Sequence, residues 1–148
     1  MDEAAYRDAR GAINRLPCVF EKALLSGSVV CAQAGRLALA ERESMVCTDA
    51  EAHANCRTFH GLLRENSLFA LKLSDPAQRM THALEMKLQC GGLRGLQASL
   101  EVSGAAPDVA ALIGQALERY DGLAELPYSR IIQGVAAWQG RKRTGRDS

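Results

Sequence analysis

Four of the chain's five cysteines, Cys18, Cys31, Cys47 and Cys56, fall in its first part, with 12, 15 and 8 residues between successive members. Four thiolates are the usual ligand set of a [2Fe–2S] or [4Fe–4S] cluster. None of the gaps is the close C-x2-C spacing that gives such a set a strong signature, so the number of thiols carries the suggestion and their pattern does not. The stretch Cys47-Thr48-Asp49-Ala50-Glu51-Ala52-His53-Ala54-Asn55-Cys56 adds a second possibility. On a helix that begins at Asp49, His53, Cys56 and His60 lie at steps of three and four and share one face. Two nitrogens and a sulfur suit zinc or iron, with Cys31 on a facing element as the natural fourth ligand. A plainer reading competes with both. Phe59, Leu63, Ala70 and Leu73 share the side of Cys56, which would make that thiol a small core filler and the two histidines its solvated margin.

The remaining thiols divide in the same way. Cys18 follows Pro17 in what reads as the first turn of a helix, where the helix N-terminus would lower its pKa and make it a reactive or ligating thiolate. Cys47 precedes Thr48 and sits where a hydrophobic staple would meet Ala52. Cys90, before Gly91-Gly92, reads as the last residue of a helix and as a substitute ligand if the glycines bend. Gly91-Gly92-Leu93-Arg94-Gly95 follows no strand and lacks the Lys-Ser/Thr ending of a phosphate loop. The carboxylate pairs Glu41/Glu43 and Glu118/Asp121 read as solvated helix faces beside Arg42 and Arg119. No Ser, His and Asp arrangement stands out, so the chain carries no complete enzyme signature.

The elements that must position these groups read as helices. A chain of 148 residues has the usual size of one domain and buries a core without needing a cofactor to fold. Aromatic residues are 5% of it, β-branched runs are short, and Ala and Leu recur at three- and four-residue spacings. The expectation is an all-α fold, a single bundle of five to seven helices over residues 1–139, with 140–148 as a basic tail. A first helix is expected over Asp2 to Arg15. A second starts at Pro17 and runs to about Ser44, with Phe20, Leu24, Gly27, Cys31, Ala34 and Ala38 on one stripe, unless Ser26-Gly27-Ser28 breaks it. A third opens with the capping box Thr48 to Glu51 and runs to about Leu73. A fourth runs from Pro76 to Cys90, where Gly91-Gly92 should end it, with a short piece over Leu93 to Leu100. The last two are expected over Val109 to Tyr120 and Tyr128 to Gln139, after the loop Gly104 to Asp108.

This reading constrains the thiols. In one unbroken helix Cys18 and Cys31 would stand about 20 Å apart, and Cys47 and Cys56 about 13 Å apart if both were helical. Four ideal helical positions cannot meet. Antiparallel packing through a turn near Val46 would leave Cys31 and Cys56 the nearest pair, offset by about 6 Å along the axis.

Charge is nearly balanced, 18 Lys and Arg against 17 Asp and Glu, which argues against electrostatic binding of nucleic acid by the chain as a whole. Only the tail, Gly140-Arg141-Lys142-Arg143-Thr144-Gly145-Arg146, departs from this. It could touch RNA, an anionic lipid surface or an acidic protein patch, although a solvating terminus is the commoner case. The N-terminal stretch lacks the basic start and apolar run of a signal peptide, and no segment reaches 18 apolar residues without charge. A cytoplasmic protein with reduced, unpaired cysteines is expected.

The stretches Leu16-Pro17-Cys18-Val19-Phe20-Glu21-Lys22-Ala23 and Leu88-Gln89-Cys90-Gly91-Gly92-Leu93 loosely resemble small proteobacterial cysteine-containing proteins associated with redox or nitrogen-fixation genes. The resemblance covers about the first two thirds of the chain, implies a redox setting and assigns no residue a role. The sequence thus points to a small helical accessory protein that binds an iron–sulfur cluster or metal through Cys18, Cys31, Cys47 and Cys56, for electron transfer or cofactor handling with a redox protein as partner. Zinc on Cys31, His53, Cys56 and His60 is the alternative ligand reading. A metal-free helical adaptor that binds a protein, and a thiol-based redox sensor, are the alternative functions.

Overall fold

In the computed structural model, residues 16–39, 42–75 and 77–140 are described. The helix expected over Asp2 to Arg15, Glu41, Pro76 and the basic run 141–148 lie outside them. Helix α1 (Glu21–Leu25) is followed by a hairpin of β1 (Ala34–Leu39) and β2 (Arg42–Cys47). Four longer helices come after it: α2 (Ala50–Asn66), α3 (His82–Ser99), α4 (Val109–Arg119) and α5 (Tyr128–Ala137), with a single 3-10 turn at Leu123–Glu125 before α5. The protein is therefore a mixed α/β fold, and the all-α bundle expected from the sequence is wrong.

The helix expected from Pro17 to about Ser44 accounts for the error. Among its described residues, only Glu21–Leu25 are helical. Gly27, at φ 82°, takes the left-handed conformation that ends a helix, and its amide bonds to Leu24 O at 3.1 Å while that of Ser28 bonds to Ala23 O at 3.2 Å. This is the Schellman stop, which glycine makes without steric cost. Beyond it the chain extends into β1, which pairs antiparallel with β2 in the register Ala34 to Cys47 and Arg36 to Met45. Helix propensity loses there to pairing and burial: Ser44 and Met45 are buried on β2, a placement that local spacing does not reveal.

Helix α2 opens one residue later than the expected capping box. Asp49 is the N-cap, accepting from the Ala52 amide at 2.7 Å, while the Thr48 hydroxyl donates to Gln33 O at 2.8 Å. The helix ends at Asn66, short of Leu73. The opposite happens in α3, which starts at His82 with Thr81 as its cap and runs straight through Gly91, Gly92 and Gly95. These glycines are packing residues rather than a stop. A methyl group on Gly91 would sit 2.7 Å from Val135 Cα, one on Gly134 would sit 2.6 Å from Gly91 O, and one on Gly95 would collide with Ile131 O. The missing side chains let α3 and α5 approach backbone to backbone. Helices α4 and α5 match the sequence reading to within a residue or two.

The core lies where α2, α3 and α5 meet, built on Phe59, Leu63, Leu88, Leu93, Leu96, Ile131 and Val135. Phe59 anchors it between Phe20, with ring centroids 6.2 Å apart, and Tyr128 at 6.3 Å. Gly95→Ala should lower stability by about 1–3 kcal/mol, the usual cost of overpacking, in chemical or thermal unfolding. Gly61→Ala, in an exposed part of α2 where a methyl group meets nothing within 4 Å, should instead gain up to about 1 kcal/mol. Equal effects of the two substitutions would contradict the close α3–α5 approach.

Candidate thiol site

Cys18, Cys31, Cys47 and Cys56 line one pocket, together with Val19, Leu24, Ala34, Ala52, His53, Val109 and Ala110. They arrive from four segments of chain, of which only that of Cys56 is the helix expected from the sequence. Cys18 lies before α1, in an extended run whose Pro17 pairs with Val46. Its amide donates to Met45 O at 3.0 Å, and the Cys47 amide donates back to Leu16 O at 2.8 Å. Cys47 is the last residue of β2 and stands opposite Ala34 of β1, so these two pocket residues share a face. Its thiol donates to Asp49 O at 3.2 Å. Cys31 occupies the loop between α1 and β1, and Cys56 the second turn of α2.

The loop of Cys31 is fixed on both sides. Val30 donates to Pro107 O at 3.1 Å and accepts from the Val109 amide at 2.8 Å, while the Ala32 amide donates to Asp108 Oδ2 at 2.9 Å. Asp108 at the same time caps α4 through Oδ1, accepting from Ala111 at 3.0 Å. A single carboxylate therefore starts a helix and ties the cysteine loop to it. Glu21 does comparable work across the hairpin, where Oε1 accepts from the Met45 amide at 2.6 Å.

Of the nitrogen and sulfur set at helical spacing, the fold gathers only a part. His53 lines the pocket, and its Nε2–H donates to Pro17 O at 3.0 Å, clasping α2 to the segment of Cys18. His60 turns to α3, where Nε2 lies 2.6 Å from Glu85 Oε1 and the ring meets Phe20 edge-on at 5.9 Å. Burial drives the Glu85 carboxyl upward, but the hydrogen bonds from His60 and Gln89 outweigh it and hold Glu85 below the usual carboxylate range. The set Cys31, His53, Cys56 and His60 is thus divided between the pocket and this hydrogen-bonded pair. Cys90 is fully buried within α3 and is not among the pocket residues. Val109 and Ala110 at the start of α4 belong to the pocket wall and had no sequence signal, since only the tertiary bond to Val30 brings them there.

The walls between the thiols are aliphatic, and this sets their chemistry. Burial pushes the Cys18 thiol up to about 11 and that of Cys56 up to about 12, with the other three thiols of the pocket adding to the rise for Cys56. Cys18 is consequently not the low-pKa thiolate expected at a helix N-terminus, because it lies outside the helix and the helix is only five residues long. Among the described residues, no three or more His, Cys, Asp or Glu side chains are grouped so that they could hold a metal ion. The cavity itself measures about 20 Å³, room for one water-sized guest. Among the described residues, no helix is long and apolar enough to cross a membrane.

Comparison with known proteins adds no family: no family model, no curated protein and no solved structure matches the chain.

A thiol moved from 9.0 to about 11 loses about a hundredfold in thiolate at fixed pH, and the thiolate is the nucleophile. Metal-free protein treated with iodoacetamide at pH 8 should therefore alkylate Cys18 and Cys56 far more slowly than a free cysteine, with the rate rising steeply toward pH 11. Preferential labelling of Cys18 at pH 7, read by peptide mass mapping, would contradict the buried, neutral state of these thiols.

Proposed function

We propose that this chain is a small accessory protein that holds a metal centre, an iron–sulfur cluster in the first place, on Cys18, Cys31, Cys47 and Cys56, and serves electron transfer or cofactor handling in the cytoplasm with a protein partner. The observation that carries the proposal is the convergence of four cysteines, spread over residues 18 to 56 and held on four segments, at one pocket. Core fillers need no such gathering. Cys90, which is fully buried, shows how an ordinary buried thiol is accommodated within the helical core.

The chemistry of the pocket supports the same reading. Thiols raised by burial, as Cys18 and Cys56 are, gain from a cation that displaces their protons, since a coordinated thiol is a thiolate. Around such a centre Val19, Leu24 and Val109 would limit water and so set the reduction potential. The raised thiols of Cys18 and Cys56 weigh against the redox-sensor reading, which needs exposed thiolates. Between metals, the number of thiols favours the cluster, whose usual ligand set is four thiolates. Tetrahedral zinc draws its sulfurs to roughly 3.8 Å from one another through bonds of about 2.3 Å, whereas a cluster spreads them to roughly 6 to 7 Å. The thiols share a pocket, and among the described residues none of the groups of ligating side chains is close enough to hold a metal ion. The small cavity requires the side chains to turn outward about a cluster, while zinc requires them to draw inward. His53 is the nitrogen available to a zinc site here.

Protein purified or reconstituted anaerobically with iron and sulfide should be brown and contain both elements. Single Cys→Ser changes at 18, 31, 47 and 56 should each lower iron content, and Cys90→Ser should leave it unchanged. A colourless product after reconstitution would remove the cluster, and stoichiometric zinc in its place would move the proposal to a Cys/His53 site.

A further inference from the structure

A second concavity, of about 230 Å³, adjoins the thiol pocket and shares Ala52, Cys56 and Ala110 with it. Its two sides differ. One carries Gln33, Asp49, Glu51 and Asn55, and the other is the α4 face of Ile113, Gly114 and Leu117. Among its described lining residues there are two carboxylates and no Lys or Arg. The α2 cation nearest in sequence, Arg57, lies instead with Ala54 and Thr58 on another face of the helix. Asp49 spends one oxygen on the Ala52 amide, and Glu51 is exposed. Leu117 is a large apolar side chain left 38% exposed.

We infer that this groove is the docking site for a protein partner, and that the partner's contacting segment carries Lys or Arg beside an aliphatic side chain. The carboxylates of Asp49 and Glu51 complement the cation, the exposed Leu117 beside the buried Ile113 takes the aliphatic group, and an uncharged partner would leave the acidic side unmatched. The location explains the choice of surface. Cys56 belongs to both concavities, so a segment seated in the groove lies directly against the thiol site. A basic partner replaces the acidic one suggested by the chain's own cationic tail. For its purpose this inference rests on the metal reading above; the groove itself does not.

The test uses the full chain labelled with nitrogen-15, in metal-free and reconstituted form, titrated with a blocked lysine–leucine tetrapeptide as probe. Amide shifts should centre on Gln33, Glu51, Asn55, Gly114 and Leu117, and a glutamate–leucine tetrapeptide should produce none. Glu51→Lys should weaken binding about two- to fivefold, the scale of one exposed charge pair, while Arg57→Glu should leave it unchanged. Shifts centred elsewhere, equal binding of the acidic peptide, or an unaffected Glu51→Lys variant would each overturn the groove. Metal analysis of the same samples keeps the two ideas apart. A preparation that takes up no metal yet binds the basic peptide at these residues removes the metal and leaves the groove, and a loaded preparation that binds it nowhere does the reverse.

Discussion

Strand β2 ends in Met45-Val46-Cys47, and both edges of that short run are hydrogen-bonded. On one side β1 brings Gly35 opposite Val46 and Ala34 opposite Cys47. On the other, the extended residues before α1 exchange two bonds with it, from Cys18 to Met45 O and from Cys47 to Leu16 O. A paired backbone has little freedom, because each buried amide and carbonyl must keep its partner. Cys18, Cys47 and the start of β1 are consequently fixed with respect to one another before any side chain is considered. Cys56 follows once the Asp49 cap directs α2 away from the end of β2. Cys31 follows from the bonds that Val30 and Ala32 make to Pro107, Asp108 and Val109.

The long helices hold this arrangement from behind. Phe20, two residues after Cys18, is fully buried against Phe59 on α2. Gln89 of α3 accepts from the Ala23 amide in α1 at 3.1 Å and donates to Glu85 at 3.0 Å, and Glu85 in turn holds His60 of α2. The buried polar groups thus link α1, α2 and α3, the elements on which the cysteine segments lean. Close packing of α3 on α5 through glycine makes that backing stiff. Such a frame fixes the backbone of the cysteine segments and leaves their side chains to adjust.

Parts of this were legible in the sequence. The stop at Ser26-Gly27-Ser28, the helices after Asp108 and Pro127, and the candidate thiols are all local features. The hairpin was not legible, because Ala34 to Val46 is rich in Ala, Leu and charged residues that suit a helix equally well, and what decides the matter is pairing within the hairpin and with the extended residues Leu16 to Cys18 on the other edge of β2. The same non-local pairing defeated the distance argument that helical positions for the cysteines could not meet. With Cys18, Cys31 and Cys47 on extended or loop backbone, the rise of a helix no longer separates them. The two glycines after Cys90 misled for the opposite reason: a residue type that usually ends helices serves here as a contact surface, Gly91 against Gly134 and Val135 of α5 and Gly92 against Leu63 of α2, and only those distant partners distinguish the two uses.

The central claim is that four cysteine sulfurs, and no histidine, meet at one centre. X-ray absorption at the iron edge of anaerobically reconstituted protein measures this directly. A first shell of sulfur alone at about 2.3 Å is the predicted result. A shell that includes nitrogen, which would bring His53 into the site, or one of oxygen only, as adventitious surface iron gives, would contradict it.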